Sequence, residues 1–286
     1  MIPVVHTRWL NKEVETDGHS PMYFLCDDGN YYYCKYRTQF KREELDCLVY
    51  EIVCQFLLKR LQIPTPDIAL VEIEKDTYEP KKLHKNKRYV HPGITCFGSK
   101  EAFNTVLVSG IQSISKKSHA NKFENIYDLL KIAMFDLWIE NDDRGRGARE
   151  NYNLLLQPIQ VQNAETGRTS AKLRWLAFDH AFAFGGVNCL RTFNETTMPS
   201  TAFKLIESQY FKSFKKYFAP SVYESIIEIF LALQSYEIES IIQSVFAQIP
   251  AGWETPKNLG ERIITFLSDS RRIRLVKQLT MHSLKN

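Results

Sequence analysis

The sequence predicts an α+β chain built as two unequal lobes around one cleft. Short strand-like runs gather in the first third, apolar residues recur at helical spacing through most of the remainder, and a polar stretch near residues 75–100 separates the two patterns. With 286 residues, 44% apolar and 13% aromatic, there is ample material for a sizeable core, which argues against disorder. The division expected is a strand-rich lobe over 1–90 and a larger helical lobe over 91–286.

Residues 22–26 and 31–36 read as two short strands joined by Asp27-Asp28-Gly29-Asn30, because Gly and Asn tolerate the positive φ of a hairpin turn. Lys35 falls near the end of the second strand. From 42 to 61, Leu45, Leu48, Val49, Ile52, Phe56 and Leu57 recur every three or four residues, an amphipathic helix that carries Glu51 and stops before Pro64. Pro64-Thr65-Pro66 breaks it, 67–74 reads as a further strand, and polar 76–88 as a loop.

Over 123–140, Ile126, Leu129, Leu130, Ala133, Leu137 and Trp138 form a wide apolar face. This core helix delivers Asn141-Asp142-Asp143-Arg144 at its exit, as rigid elements commonly present functional loops. Strands at 153–156 and 172–178, separated by polar 162–170, bring Asn151 and Asp179 towards one edge. Beyond Thr201 helices are expected at 203–218, 222–233, 238–246 and 259–279, broken by Pro220 and by Pro250-Ala251-Gly252.

Composition narrows the function classes. Lys plus Arg number 37 against 33 Asp plus Glu, a formal net charge of +4 that does not demand nucleic acid. The basic segments 81–88 and 271–277 read as solvated faces. Cys26, Cys34, Cys47, Cys54, Cys96 and Cys189 are scattered without a CxxC, so buried thiols in a reducing compartment are expected rather than disulfides or zinc. No signal-peptide pattern opens the chain, and no window approaches the roughly 20 apolar residues of a spanning helix. A soluble cytoplasmic protein is the expectation.

The acids, amides and lysine at these positions are what phosphoryl transfer from ATP requires. An acid beside an Arg (Asp143 before Arg144, with Asp142 the neighbouring alternative) can orient or deprotonate an acceptor hydroxyl. A downstream Asn and a second Asp ending an apolar strand, Asp179, can hold magnesium, a hard cation that prefers oxygen ligands. Either Asn151 or Asn153 can offer the amide oxygen. Lys35 on a strand and Glu51 on the next helix can form the pair that steadies a lysine against nucleotide phosphates. Gly18-His19-Ser20 ahead of the first hairpin strand can cradle phosphate with backbone amides, whereas His180 lacks a second His at ligand spacing and reads as structural.

The order of these elements resembles the HipA-like kinases and, more distantly, the phosphatidylinositol 3- and 4-kinases of the protein-kinase-like superfamily. The resemblance runs over about residues 10–190. It rests on Gly18-His19-Ser20-Pro21, Asp28 to Lys35, Tyr50-Glu51-Ile52, Ile63-Pro64-Thr65-Pro66, Phe97-Gly98-Ser99, Phe135 to Arg144, Asn151-Tyr152-Asn153 and Phe178-Asp179-His180.

It implies a bilobal protein-kinase-like fold, with Lys35 on the phosphates and Glu51 as its partner. It further implies Gly18 and Ser20 near the nucleotide, Asp143 as catalytic acid, and Asn151 and Asp179 as magnesium ligands. One departure stands out: the kinase pattern places its Asn about five residues after the catalytic Asp, whereas Asn151 lies eight after Asp143. A catalytic loop lengthened by about three residues follows, and with it the alternative that Asn153 reaches the metal. The activity implied is ATP- and Mg2+-dependent phosphorylation of Ser or Thr in a protein, including the chain itself. The alternatives are a lipid or small-molecule acceptor, or a pseudokinase that serves as a nucleotide-binding interaction module.

Overall fold

A computed structural model describes residues 1–16, 20–109, 116–141, 143–144, 152–162, 167–185, 193 and 195–286. Five strands of the first lobe, β1 (Val4–Glu13), β2 (Met22–Cys26), β3 (Tyr31–Lys35), β4 (Ile68–Glu72) and β5 (Thr95–Lys100), close into a barrel in the order β1-β2-β3-β5-β4. The expected hairpin is present. Its turn is set by Gly29 at φ +77° and by the Asp28 carboxylate accepting from Asn30 N at 3.0 Å.

Two strands go beyond the sequence reading. β1 pairs antiparallel with β2 and parallel with β4, but register shifts at Thr7/Trp9 and Leu10/Lys12 interrupt the two-residue alternation that would reveal it. β5 pairs with both β3 and β4, so the strand layer reaches past residue 90, where the sequence suggested the division. Gly98 is required there, since a Cβ would collide with Val71 Cγ2.

Between β3 and β4 lies α1 (Glu43–Arg60). It is buried over most of its circumference rather than along one stripe, with Glu44, Asp46, Glu51 and Gln55 all inside. The extra cover comes from the C-terminal half, where α1 packs on a later helix, α6 (Ser235–Phe246). Gln55 fixes the Pro64-Thr65-Pro66 break, donating to Pro66 O at 2.7 Å and accepting from Thr65 Oγ1 at 2.7 Å. Ala177 N in turn donates to Pro64 O at 2.9 Å, which ties the strand before Asp179 to the end of this segment.

The second lobe is centred on α3 (Tyr127–Trp138), preceded by the short strand β6 (Val106–Leu107) and by α2 (Lys117–Ala120). Strands β7 (Leu154–Gln162) and β8 (Thr169–Ala177) form a hairpin longer than the expected pair, in continuous register from Leu154↔Ala177 to Gln162↔Thr169.

The tail contains α4 (Gln209–Lys215), α5 (Pro220–Leu231), α6 (Ser235–Phe246), α7 (Leu259–Ser268) and α8 (Ser270–Lys285). The single helix expected over 259–279 is thus two. Asp269 leaves helical geometry at ψ 114° and its carboxylate caps α8 by accepting from Arg271 N at 2.8 Å. The expected helix over 203–218 shrinks to a 3-10 turn, Leu205–Glu207, followed by α4. The tail touches both lobes: Arg60 of α1 pairs with Glu237 of α6, Trp253 Nε1 donates to Thr95 O at 2.8 Å, and Trp138 Nε1 donates to Leu267 O at 3.0 Å. Buried apolar residues accordingly form one continuous cluster through both lobes.

Candidate active site

Lys35 stands at the last position of β3 with its ammonium between two carboxylates. Nζ lies 2.6 Å from Glu51 Oε1 and 2.8 Å from Asp179 Oδ1. The side chains of Lys35 and Glu51 are 9% and 4% exposed, and that of Asp179 is 28% exposed, so the set is closed at the α1 side and open at Asp179. Burial opposes the charge on Lys35, but Asp179 and Glu51 outweigh it and hold the ammonium above its ordinary pKa. The second oxygen of Glu51 accepts from His180 N at 2.8 Å, so α1 also grips the backbone beside Asp179. Asp179 itself sits at φ +57°, a left-handed conformation that turns the chain sharply after β8.

Asp143 follows the exit of α3. Asp143 N donates to Asn141 Oδ1 at 3.2 Å, and Asp143 Oδ2 accepts from Asn153 Nδ2 at 2.8 Å. Burial raises the Asp143 pKa above the ordinary carboxylate range, and the nearby Asp179 charge raises it further. Asn153, buried and at φ +45°, is therefore the downstream asparagine beside the acid among the described residues. Asn151, Gly18 and Asp142 lie outside the described residues. Ser20 is described, but its side chain is buried and its carbonyl accepts from Asn86 Nδ2 at 2.7 Å.

Behind these groups lies a sealed network around Arg144, which is fully buried. Its Nε pairs with Asp136 Oδ2 at 2.7 Å, Nη1 donates to Tyr152 O at 2.6 Å and also to Asn153 O, and Nη2 reaches Phe178 O at 3.2 Å and His180 Nε2 at 2.9 Å. One guanidinium thus stitches together α3, the chain entering β7 and the turn around Asp179. Because arginine only donates, His180 Nε2 is the acceptor. Burial, with Arg144 beside it, pushes the His180 pKa well below its usual value, so the ring is neutral. The structural role expected of His180 agrees with this.

The sequence reading gave no role to Asp136, Asn141 or Lys204. Asp136 had a signal: an acid within the apolar run Phe135-Asp136-Leu137-Trp138 must be paired if it is buried. Lys204, 63 residues from Asn141, had none.

The strand barrel thus carries a lysine held by a helix glutamate, beside a helical lobe presenting Asp143, Asn153 and Asp179. A family model for HipA-like kinases matches residues 11–271, and the chain belongs to that family.

Among solved structures, the chain is similar to a Helicobacter pylori proinflammatory kinase, CtkA, at 11% identity and TM-score 0.48, covering 95% of this chain and 94% of that one. It is also similar to a Golgi casein kinase with Mn/ADP bound, at 13% identity and TM-score 0.46, covering 99% of this chain and 73% of the other. A third likeness is to CtTel1 in its open conformation, at 12% identity and TM-score 0.33, covering 91% of this chain and 11% of that one. Among curated proteins no sequence matches. No helix among the described residues is long and apolar enough to cross a membrane.

Proposed function

We propose that this kinase uses ATP and magnesium to transfer the γ-phosphate to a Ser or Thr hydroxyl of a protein, the chain itself included. The observation that carries the reading is Lys35 bound at once to Glu51 and to the partly open Asp179, with the Asp143–Asn153 pair close enough for the Asp179 charge to raise the Asp143 pKa.

In this reading Glu51 holds Lys35 extended towards the α- and β-phosphates, and the ammonium exchanges its contact with Asp179 for the nucleotide. The oxygen donors of Asp179 and Asn153 suit a hard cation, and the His180 imidazole beside Asp179 is already committed to Arg144. When bound there, magnesium neutralises charge on the phosphates. Asp143 accepts the hydroxyl proton as the acceptor oxygen bonds to the γ-phosphorus and the bond to the β-phosphate oxygen breaks, releasing ADP. A carboxylate with a raised pKa is the stronger base for that proton. The metal role is assigned here to Asn153, whose amide nitrogen donates to Asp143, while Asn151, the other candidate, lies outside the described residues. A reducing, cytoplasmic setting is supported by Cys26, Cys34, Cys47, Cys54 and Cys96, all buried and none of them in a disulfide among the described residues.

The test is incubation of the purified chain with γ-labelled ATP and magnesium, alone and with a Ser/Thr-rich protein acceptor, beside Asp143→Ala and Asp179→Ala. The expected result is acid-stable label on Ser or Thr that both substitutions abolish. Magnesium-dependent ATP binding with no turnover by the wild type would overturn the reading in favour of a nucleotide-binding module.

A further inference from the structure

The chain beyond the Asp179 turn sends a lysine back into the protein beneath the loop that carries Asp143. Lys204 is 2% exposed, and burying an ammonium is unfavourable unless it is well paired. Its Nζ donates to Asn141 O at 2.9 Å and pairs with Glu140 Oε1 at 3.0 Å. Both partners belong to the turn between the end of α3 and Asp143.

Asn141 is the hub of that turn. Its Nδ2 donates to Asp136 Oδ1 at 3.0 Å, its Oδ1 accepts from Asp143 N, and its carbonyl accepts from Lys204. Glu140 is held at φ +51°, a conformation that needs outside support in a residue with a Cβ. Lys204 supplies support on both sides of the Glu140–Asn141 peptide, and Gly185 N adds a bond to Glu140 O at 3.1 Å.

The residue before it, Phe203, is itself at φ +61° and is 73% exposed. Backbone strain and an exposed aromatic residue thus accompany the inward aim of Lys204.

We propose that Lys204 is a positioning residue for the acid: it fixes the Glu140–Asn141 turn so that the Asp143 carboxylate stands where the acceptor hydroxyl arrives. This makes the segment after the Asp179 turn a support of the catalytic loop. The proposal rests on the reading of Asp143 as the acid, and its test separates the two.

The full chain is compared with Lys204→Met, Lys204→Arg and the double variant Lys204→Met/Glu140→Gln, which removes the ion pair without stranding a buried carboxylate. A misplaced acid lowers kcat by about 10- to 100-fold. The expected result is that loss in both Met variants, with ATP affinity within about twofold of wild type and partial recovery in Lys204→Arg. Hydrogen exchange of peptides over 139–144 speeds up, while that of α1 and the barrel does not.

A folded double variant with kcat within about twofold of wild type overturns the proposal. So does a parallel loss of kcat, ATP affinity and global exchange protection, the mark of a merely structural lysine. If the wild type proves inert and Asp143→Ala changes nothing, the kinase reading is what fails. Exchange at 139–144 then decides alone whether Lys204 holds the turn, and unchanged exchange there overturns it.

Discussion

Two charge networks meet at the turn between Phe178 and His180, built from the same kinds of side chain to opposite ends. In the cleft, Lys35 lies between Glu51 and Asp179, and one of the two carboxylates remains partly exposed. Behind it, Arg144 and Asp136 are both completely buried, and the guanidinium is committed to a carboxylate, three backbone carbonyls and the His180 ring. A network with a reachable member can exchange a protein partner for a ligand. A closed one can only hold the backbone in place. The difference lies in burial and in what the cation grips, carboxylates alone in one case and main-chain carbonyls in the other.

That contrast predicts opposite phenotypes. The largest expected effect is from Asp143→Ala, which lowers kcat about 10²- to 10⁴-fold with the melting temperature held or raised; a stopped assay beside calorimetry reads both. On the closed side, Arg144→Met removes the partner of a buried carboxylate and destabilises the fold by about 3–5 kcal/mol, measured by urea denaturation. Were Arg144→Met to leave stability unchanged while abolishing turnover, the division between the networks would be wrong. Next comes Lys35→Met, expected to lower turnover about 10²- to 10³-fold while the protein stays folded.

The pH dependence sharpens the same division. In its proposed role Asp143 must be ionised to take a proton, so kcat/KM is expected to fall as pH drops through its pKa, with that acid limb above the ordinary Asp value of about 3.9. Because this pKa is raised in the folded state, the group's contribution to stability is present below the unfolded-state value and is lost as pH rises through the folded-state one. Asp143→Asn is therefore expected to be more stable than wild type at neutral pH and to lose that advantage in acid, as denaturant titrations at the two pH values would show. The smallest effect belongs to Phe203→Gly. It relieves a left-handed φ at an exposed position and is expected to fall within about 1 kcal/mol of wild type, on the stabilising side.

Much of the cleft was legible from local pattern. Lys35 and Glu51 lie within elements of recognisable period and Asp143 and Asp179 follow such elements, so their order along the chain already suggested one site. The β1 strand was not legible, because its bulges break the alternation, and the split at Asp269 was not, because a single residue with extended ψ leaves no compositional mark. The downstream asparagine could not be chosen by spacing. Tertiary structure puts the Asn153 amide on the Asp143 carboxylate, a contact that spacing does not foretell.

The sequence by itself determined the class of chemistry and the inventory of groups, since apolar periodicity dictates which segments become helices and strands, and oxygen-rich side chains at their ends dictate what can be bound. Tertiary structure alone decided which charges are open and which are sealed. Arg144 is adjacent to Asp143 in sequence yet turns away from the cleft to collect carbonyls from Tyr152, Asn153 and Phe178. Lys204 reaches Asn141 across 63 residues. Neither fact has a local signature, because the energy of a buried ion is set by the groups that surround it in space.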